Sequence, residues 1–219
     1  MADTFFDTTG VLFLEKVTPI IKALFVGYEV ADEFYGDDKC YIAMTQYGGD
    51  SSWDTVIEEL VKLAQSKGME HGCIDSGVEI FTFLAKGFGV ENDERFRKIL
   101  ANESFTEETS IDVLYELAVL FDDGHKLSGY LTESGWHSTR ASLFGFGGIG
   151  IFQGKHYGCT FSSSNAGNFG QEINKNLSNG DLNAAAEHLQ TEVRKLLDGV
   201  VCENQRTVLK LALSDLLKN

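Results

Sequence analysis

The chain has 219 residues, 43% hydrophobic and 23% charged, a composition that excludes disorder over most of its length and suffices for one well-buried core. Its formal net charge is −15, and the charge is unevenly spread: residues 1–123 hold 25 Asp+Glu against 9 Lys+Arg (net −16), whereas residues 124–219 hold 8 against 9 (net +1). Such a field repels phosphate backbones and anionic lipid and attracts basic proteins, so no direct nucleic-acid partner and no membrane partner are expected.

A lone proline, Pro19, beside 23 glycines favours one compact domain over residues 1–219 with no extended linker. No stretch reaches the roughly 18–20 apolar residues of a membrane span. The opening Met1-Ala-Asp-Thr-Phe-Phe-Asp lacks a basic start, and the apolar run behind it is broken by Glu15 and Lys16. Cys40, Cys73, Cys159 and Cys202 are dispersed and form no C-x-x-C. A cytoplasmic protein with free thiols is the expectation.

In chain order, residues 8–25 place apolar side chains at helical spacing, with Thr18 as cap and Pro19 at the first helical position, which predicts a helix from 18 to about 26. Residues 27–47 read as a β-hairpin, two aromatic and β-branched runs turning at Gly36-Asp37-Asp38. Four helices follow between 50 and 123. Ser51 with Asp54, Ser76 with Glu79 and Thr109 with Asp112 have the spacing of capping boxes or close relatives of them. Past a glycine- and aromatic-rich region, 124–164, the pattern turns helical again through 165–219. Phe169, Ile173 and Leu177 recur every four residues. Asp181 caps a helix through Asp198, with Gly199 just past its end and Leu182, Ala185, Ala186, Leu189, Val193, Leu196 and Leu197 read as its inward face. A last helix spans 203–218 and is expected to form a hairpin with the one before it.

Gly145-Phe-Gly147-Gly-Ile-Gly150 matches the G-x-G-x-x-G dinucleotide fingerprint in letters. In that fingerprint the third glycine sits in the first turn of a helix, whose N-terminus receives the pyrophosphate. Here it is followed by Ile151-Phe-Gln-Gly-Lys-His-Tyr-Gly-Cys-Thr-Phe, which is not helical composition. No acid stands at a second strand end some ~20 residues on. The motif is therefore assigned to a β-meander, with strands near 126–133, 136–145, 149–153 and 156–162, a turn at Ser134-Gly135 and a bend at Gly147-Gly148, and no cofactor is expected.

The residues with chemical potential are few. Residues 70–75 gather Glu70, His71, Cys73 and Asp75, but with no second ligand pair they read as a polar turn, and no metal is expected. Cys159 with His137 could form a nucleophile–base pair if their strands aligned; the alternative is a core cysteine. Trp136 and Arg140, four apart, would share a strand face as a recognition patch or as an Arg stacked on a Trp. The acidic pairs Asp32-Glu33 and Asp37-Asp38 belong to a half-molecule more charged than solubility requires.

The sequence thus predicts an α+β fold: an antiparallel sheet from the N-terminal hairpin and the central meander, packed with amphipathic helices. Its expected function is a cytoplasmic acidic binding protein of inhibitor, immunity or chaperone type. It engages a basic protein partner through Asp32, Glu33, Asp37, Asp38, Trp136 and Arg140. The alternative is a small enzyme or ligand-binding domain with a pocket against the glycine-rich sheet, using His137 and Cys159.

Overall fold

The computed structural model describes residues 4–34, 39–44, 51–66, 77–139 and 145–218. The fold is α+β. Six strands, β1 (Thr4–Phe13), β2 (Glu29–Phe34), β3 (Lys39–Met44), β4 (Gly129–Ser138), β5 (Phe146–Gly154) and β6 (Gly158–Ser162), follow the order β2-β3-β1-β4-β5-β6. The eight helices among the described residues are α1 (Pro19–Leu24), α2 (Trp53–Ser66), α3 (Gly77–Phe88), α4 (Glu94–Asn102), α5 (Ile111–Leu120), α6 (Ser163–Ser178), α7 (Leu182–Asp198) and α8 (Glu203–Leu216). None of them is long and apolar enough to cross a membrane.

The N-terminal hairpin is present, with β2 and β3 antiparallel and Val30 opposite Ile42. Its expected turn at Gly36-Asp37-Asp38 and residues 70–75 lie outside the described residues. β1 is the strand that helical spacing obscured. Thr8, Leu12 and Leu14 are buried, a period of two rather than 3.6, and Thr8 through Phe13 pair with Met44 through Lys39. β1 neighbours both β3 and β4 and so joins the hairpin to the meander. The meander has three strands, not four. β4 runs through Ser134-Gly135 without turning, and β5 runs through Gly147-Gly148 without bending.

Two of the expected caps move by one residue. The hydroxyl of Ser52, not Ser51, accepts the Thr55 N–H at the start of α2 (3.4 Å). Ser51 instead bonds Thr109, whose N–H donates to its carbonyl (2.6 Å), tying the starts of α2 and α5 together. Ser110 stands at the α5 cap position, and Asp112 accepts the Tyr130 hydroxyl rather than completing a box. Thr18 and Asp181 cap α1 and α7 as their spacing predicts.

The chain divides into two compact units. One is Asp7–Tyr130; the other is Met1–Phe6 with Leu131–Asn219. Within Asp7–Tyr130 each helix turns one apolar stripe inward, as α2 does with Trp53, Val56, Leu60 and Ala64. The stripes converge on an aromatic cluster. Phe105 lies 4.9 Å from Trp53 and 4.8 Å from Phe81, while Phe88 and Phe96 flank Phe121 at 5.5 and 6.1 Å. Phe105 reaches that place by a left-handed backbone, φ 55°. This conformation costs on the order of 1–2 kcal/mol in a non-glycine residue, and burial of the ring, 4% exposed, offsets it.

Polar groups in this core are specific. Tyr130 is fully buried and donates to Asp112; burial first, then that hydrogen bond, raise its pKa. Burial and the Asp112 charge push the nearby Tyr28 phenol up to about 12. His125 is also fully buried. Its Nδ1 accepts the Leu127 N–H (2.9 Å), which fixes the neutral tautomer with the proton on Nε2. The Asp122 carboxylate is 3.6 Å from that Nδ1. Burial lowers the His125 pKa and outweighs the opposing pull of Asp122 and Asp123.

Because the folded pKa of His125 lies below its unfolded value, its neutral form supports the fold fully above the ordinary histidine pKa of about 6.5. That support is lost as the pH falls from there through the folded pKa. Burial also opposes ionisation of Asp122, but the N–H groups of Lys126 and Gly124 hold its carboxyl below the usual range, so its contribution fades only under about pH 4. Urea midpoints should therefore drop between pH 7 and 5 in the native chain. In His125→Asn, whose amide oxygen can accept the Leu127 N–H, that slope should be lost.

Candidate functional site

β4 carries two of the residues singled out in the sequence, and they point to opposite faces of the strand. His137 is exposed and stacks on Phe5, with centroids 4.9 Å apart and planes 16° apart. Trp136 is half-buried and lies over Gly147 of β5, where a Cβ would overlap the indole ring. That contact is the physical reason for glycine at the centre of Gly145-Phe-Gly-Gly-Ile-Gly150: a cross-strand aromatic covers the bare backbone. No helix follows the third glycine, since β5 continues to Gly154.

The pairing of His137 with Cys159 does not form. Ser138 N–H donates to Gly145 O (2.7 Å), which sets His137 beside the start of β5. Cys159 of β6 is opposite Phe152, near the end of β5. At ~3.3 Å per residue the two lie about 20 Å apart along the strand direction, on strands separated by β5, too far for proton transfer between their side chains. Among the described residues no group of three or more His, Cys, Asp or Glu side chains is placed to hold a metal. Asp32 and Glu33 lie on β2, the sheet's edge strand. Asp37, Asp38, Cys73 and Arg140 lie outside the described residues.

The structure instead exposes a surface that sequence reasoning read as interior. Among the described residues, only Ala185 and Val200 of the 31 buried apolar side chains belong to the unit containing α6–α8. Leu182, Leu189 and Leu196 of α7 are 67%, 49% and 44% exposed, and α8 buries nothing, with Leu211, Leu216 and Leu217 at 64–78%. The cause is a shortage of partners. α6 meets α7 along a seam containing Phe169 and His188, stacked at 5.5 Å, and covers only that side of α7.

The turn between α7 and α8 is held by β6 and the residues before it. Gly158 N–H donates to Gly199 O (2.9 Å), Val201 N–H to His156 O (3.1 Å), and the Arg206 guanidinium to Val200 O (2.8 Å). A Cβ at Gly199 would overlap the Gly158 carbonyl, so glycine is required at this close approach. Beyond the turn α7 and α8 flank a groove of about 750 Å³, lined by Leu189, Val193 and Leu197 from α7 and Leu213 and Leu217 on the α8 side. Arg194, Lys210 and Lys218 also line it. On the opposite side of α8, Val208 and Leu209 line a second groove of about 590 Å³ with His156 and Tyr157. The signal for this surface was in the sequence: residues 182, 186, 189, 193 and 196 alternate spacings of four and three, the seam of a helix that pairs with another helix.

Gly147→Ala should displace the Trp136 indole toward water. Tryptophan emission should shift to longer wavelength while Trp53, buried in the aromatic cluster, keeps its share of the signal, and stability should fall by about 1–3 kcal/mol as for other overpacked sites. No family model, curated protein or solved structure matches the chain.

Proposed function

We propose that the protein is a binding protein whose acidic unit engages a basic protein partner. One observation carries the reading: charge is partitioned by unit. Asp7–Tyr130 holds 24 Asp+Glu against 10 Lys+Arg, a net of −14, while the other unit holds 9 against 8. A compact body with that charge concentrates cations at its surface and steers a basic partner toward it, raising the association rate more than the intrinsic affinity. Glu58, Glu107 and Glu108 are exposed in the acidic unit, and Lys62, Arg95, Lys98 and Lys126 are engaged locally with Glu59, Asp93, Glu94 and Glu15. The inhibitor, immunity and chaperone types share this requirement for a basic partner. A cytoplasmic setting is part of the same proposal.

The test is capture on the immobilised chain at low salt, elution by a salt gradient, and measurement of the association rate of what elutes. A basic protein should be retained and released by salt. Glu58→Lys combined with Glu107→Lys and Glu108→Lys should slow its association about tenfold at low salt, with little change at high salt. Retention that is indifferent to salt and to the triple substitution would overturn the reading.

A further inference from the structure

We propose that the turn from Asp122 to Leu127 is an acid-sensitive latch: on taking up a proton, His125 exchanges the Leu127 amide for the Asp122 carboxylate and releases the join between the end of β1 and the entry to β4. The latch lies inside Asp7–Tyr130 and works whether or not the acidic surface binds a basic partner. A loss of stability in acid requires only that His125 be buried; the exchange of partners is a further property of this turn.

The ring is 0% exposed, and its Nδ1 can accept the Leu127 N–H at 2.9 Å only while its lone pair is free. Its buried Nε2 has no hydrogen-bond partner among the described residues, so the Leu127 bond anchors the ring. Asp122 Oδ1 lies 3.6 Å from the same Nδ1 and accepts the N–H groups of Gly124 (2.9 Å) and Lys126 (3.1 Å). Lys126, between the ring and the amide that the ring binds, is left-handed at φ 51°. A non-glycine residue in that region is strained and persists only where its surroundings hold it. Here Asp122 clasps the Lys126 amide and His125 clasps the next one. The turn in its place fastens three other points of the chain. Glu15 N–H donates to His125 O and Ser128 N–H to Phe13 O, both at 2.8 Å, and Ile20 N–H donates to Asp123 Oδ2 at 3.4 Å.

A proton from water on Nδ1 makes both ring nitrogens donors. Nδ1–H then faces Leu127 N–H, and the bond becomes a repulsion. The Asp122 carboxylate is the acceptor in reach, and turning to it forms a charge-assisted pair. Leu127 N–H is left without its acceptor, Lys126 is clasped on one side only, and the strained backbone relaxes. Burial disfavours the cation most, whereas Asp122, Asp123 and the carbonyls of Ala118 and Phe121 at the end of α5 favour it. From the connection after β1, Glu15 is paired with Lys126 (2.9 Å), and the Lys16 ammonium lies 3.1 Å from where a Cβ on Gly124 would stand. The latch is therefore closed at neutral pH and opens below the ordinary histidine pKa of about 6.5. Asp122 stays ionised in that window, its backbone hydrogen bonds outweighing burial.

A pH titration of the full chain by NMR, reading the His125 ring nitrogens together with the backbone amides, tests this. Below about pH 6.5 the Nδ1 shift should pass from unprotonated to protonated. At the same midpoint the Leu127 amide proton should lose its hydrogen-bonded shift, and its exchange, corrected for the intrinsic effect of pH, should quicken about tenfold or more. The amides of Val56 and Leu60 in α2 should keep their shifts through that midpoint. Asp122→Asn retains an oxygen for the Gly124 and Lys126 amides but no charge, and should move the midpoint about half a pH unit or more lower. A Leu127 bond that survives protonation of Nδ1 overturns the proposal. So does a bond lost only together with the α2 amides, or a midpoint that Asp122→Asn leaves in place.

Discussion

Where the apolar side chains go is the constraint on which the rest of this structure depends. Asp7–Tyr130 buries 29 of the 31 apolar residues that are out of water among those described. The other unit carries 14 of the 17 large apolar side chains left in it. Burying a leucine stabilises by roughly 1.5–3 kcal/mol, and whole domains are stable by only about 5–15 kcal/mol. Helices that leave their leucines half-exposed forgo a sum as large as an entire domain's stability. α7 is capped by the Asp181 side chain and α8 has no side-chain cap, and between them they bury only Ala185 among the described residues.

The acidic unit solves the same problem internally. Trp53, Phe81, Phe105 and Phe121 come from three helices and a connecting segment and fill the space between them. The strained backbone at Phe105 is tolerated because the ring it delivers completes that cluster. In the same interior Tyr130 donates to Asp112, and His125 accepts from Leu127 at Nδ1 while its buried Nε2 has no hydrogen-bond partner among the described residues. With its apolar stripes spent inside, this unit presents mostly charge to its surroundings. Binding through the acidic unit would then be set by electrostatics, which salt screens.

Much of the architecture was legible because its causes are local. Asp181, Thr18 and the 3.6-residue spacing of Trp53, Val56, Leu60 and Ala64 act within one or two turns of chain, and they fixed most helices to within a residue or two. β1 was hidden because Val11, Leu12 and Leu14 continue into the helical spacing of residues 17–24, and only pairing with β3 distinguishes the two periods. Gly147-Gly148 looked like a bend because a glycine pair in isolation is flexible; the Trp136 ring that covers Gly147 belongs to another strand. The separation of His137 from Cys159 likewise depended on registers that no single segment encodes. For α7 the expected inward face is split: Ala185 is buried and Val193 and Leu197 are half-buried, while Leu182, Ala186, Leu189 and Leu196 are exposed, since periodicity tells which residues share a face but not what the face meets.

The most direct test of the central claim, that the charge of Asp7–Tyr130 steers a basic partner, is the association rate of that partner measured across a salt series. The rate should fall steeply as salt rises, and Glu58→Lys with Glu107→Lys and Glu108→Lys should flatten that dependence. A rate indifferent to both salt and the triple substitution would contradict it.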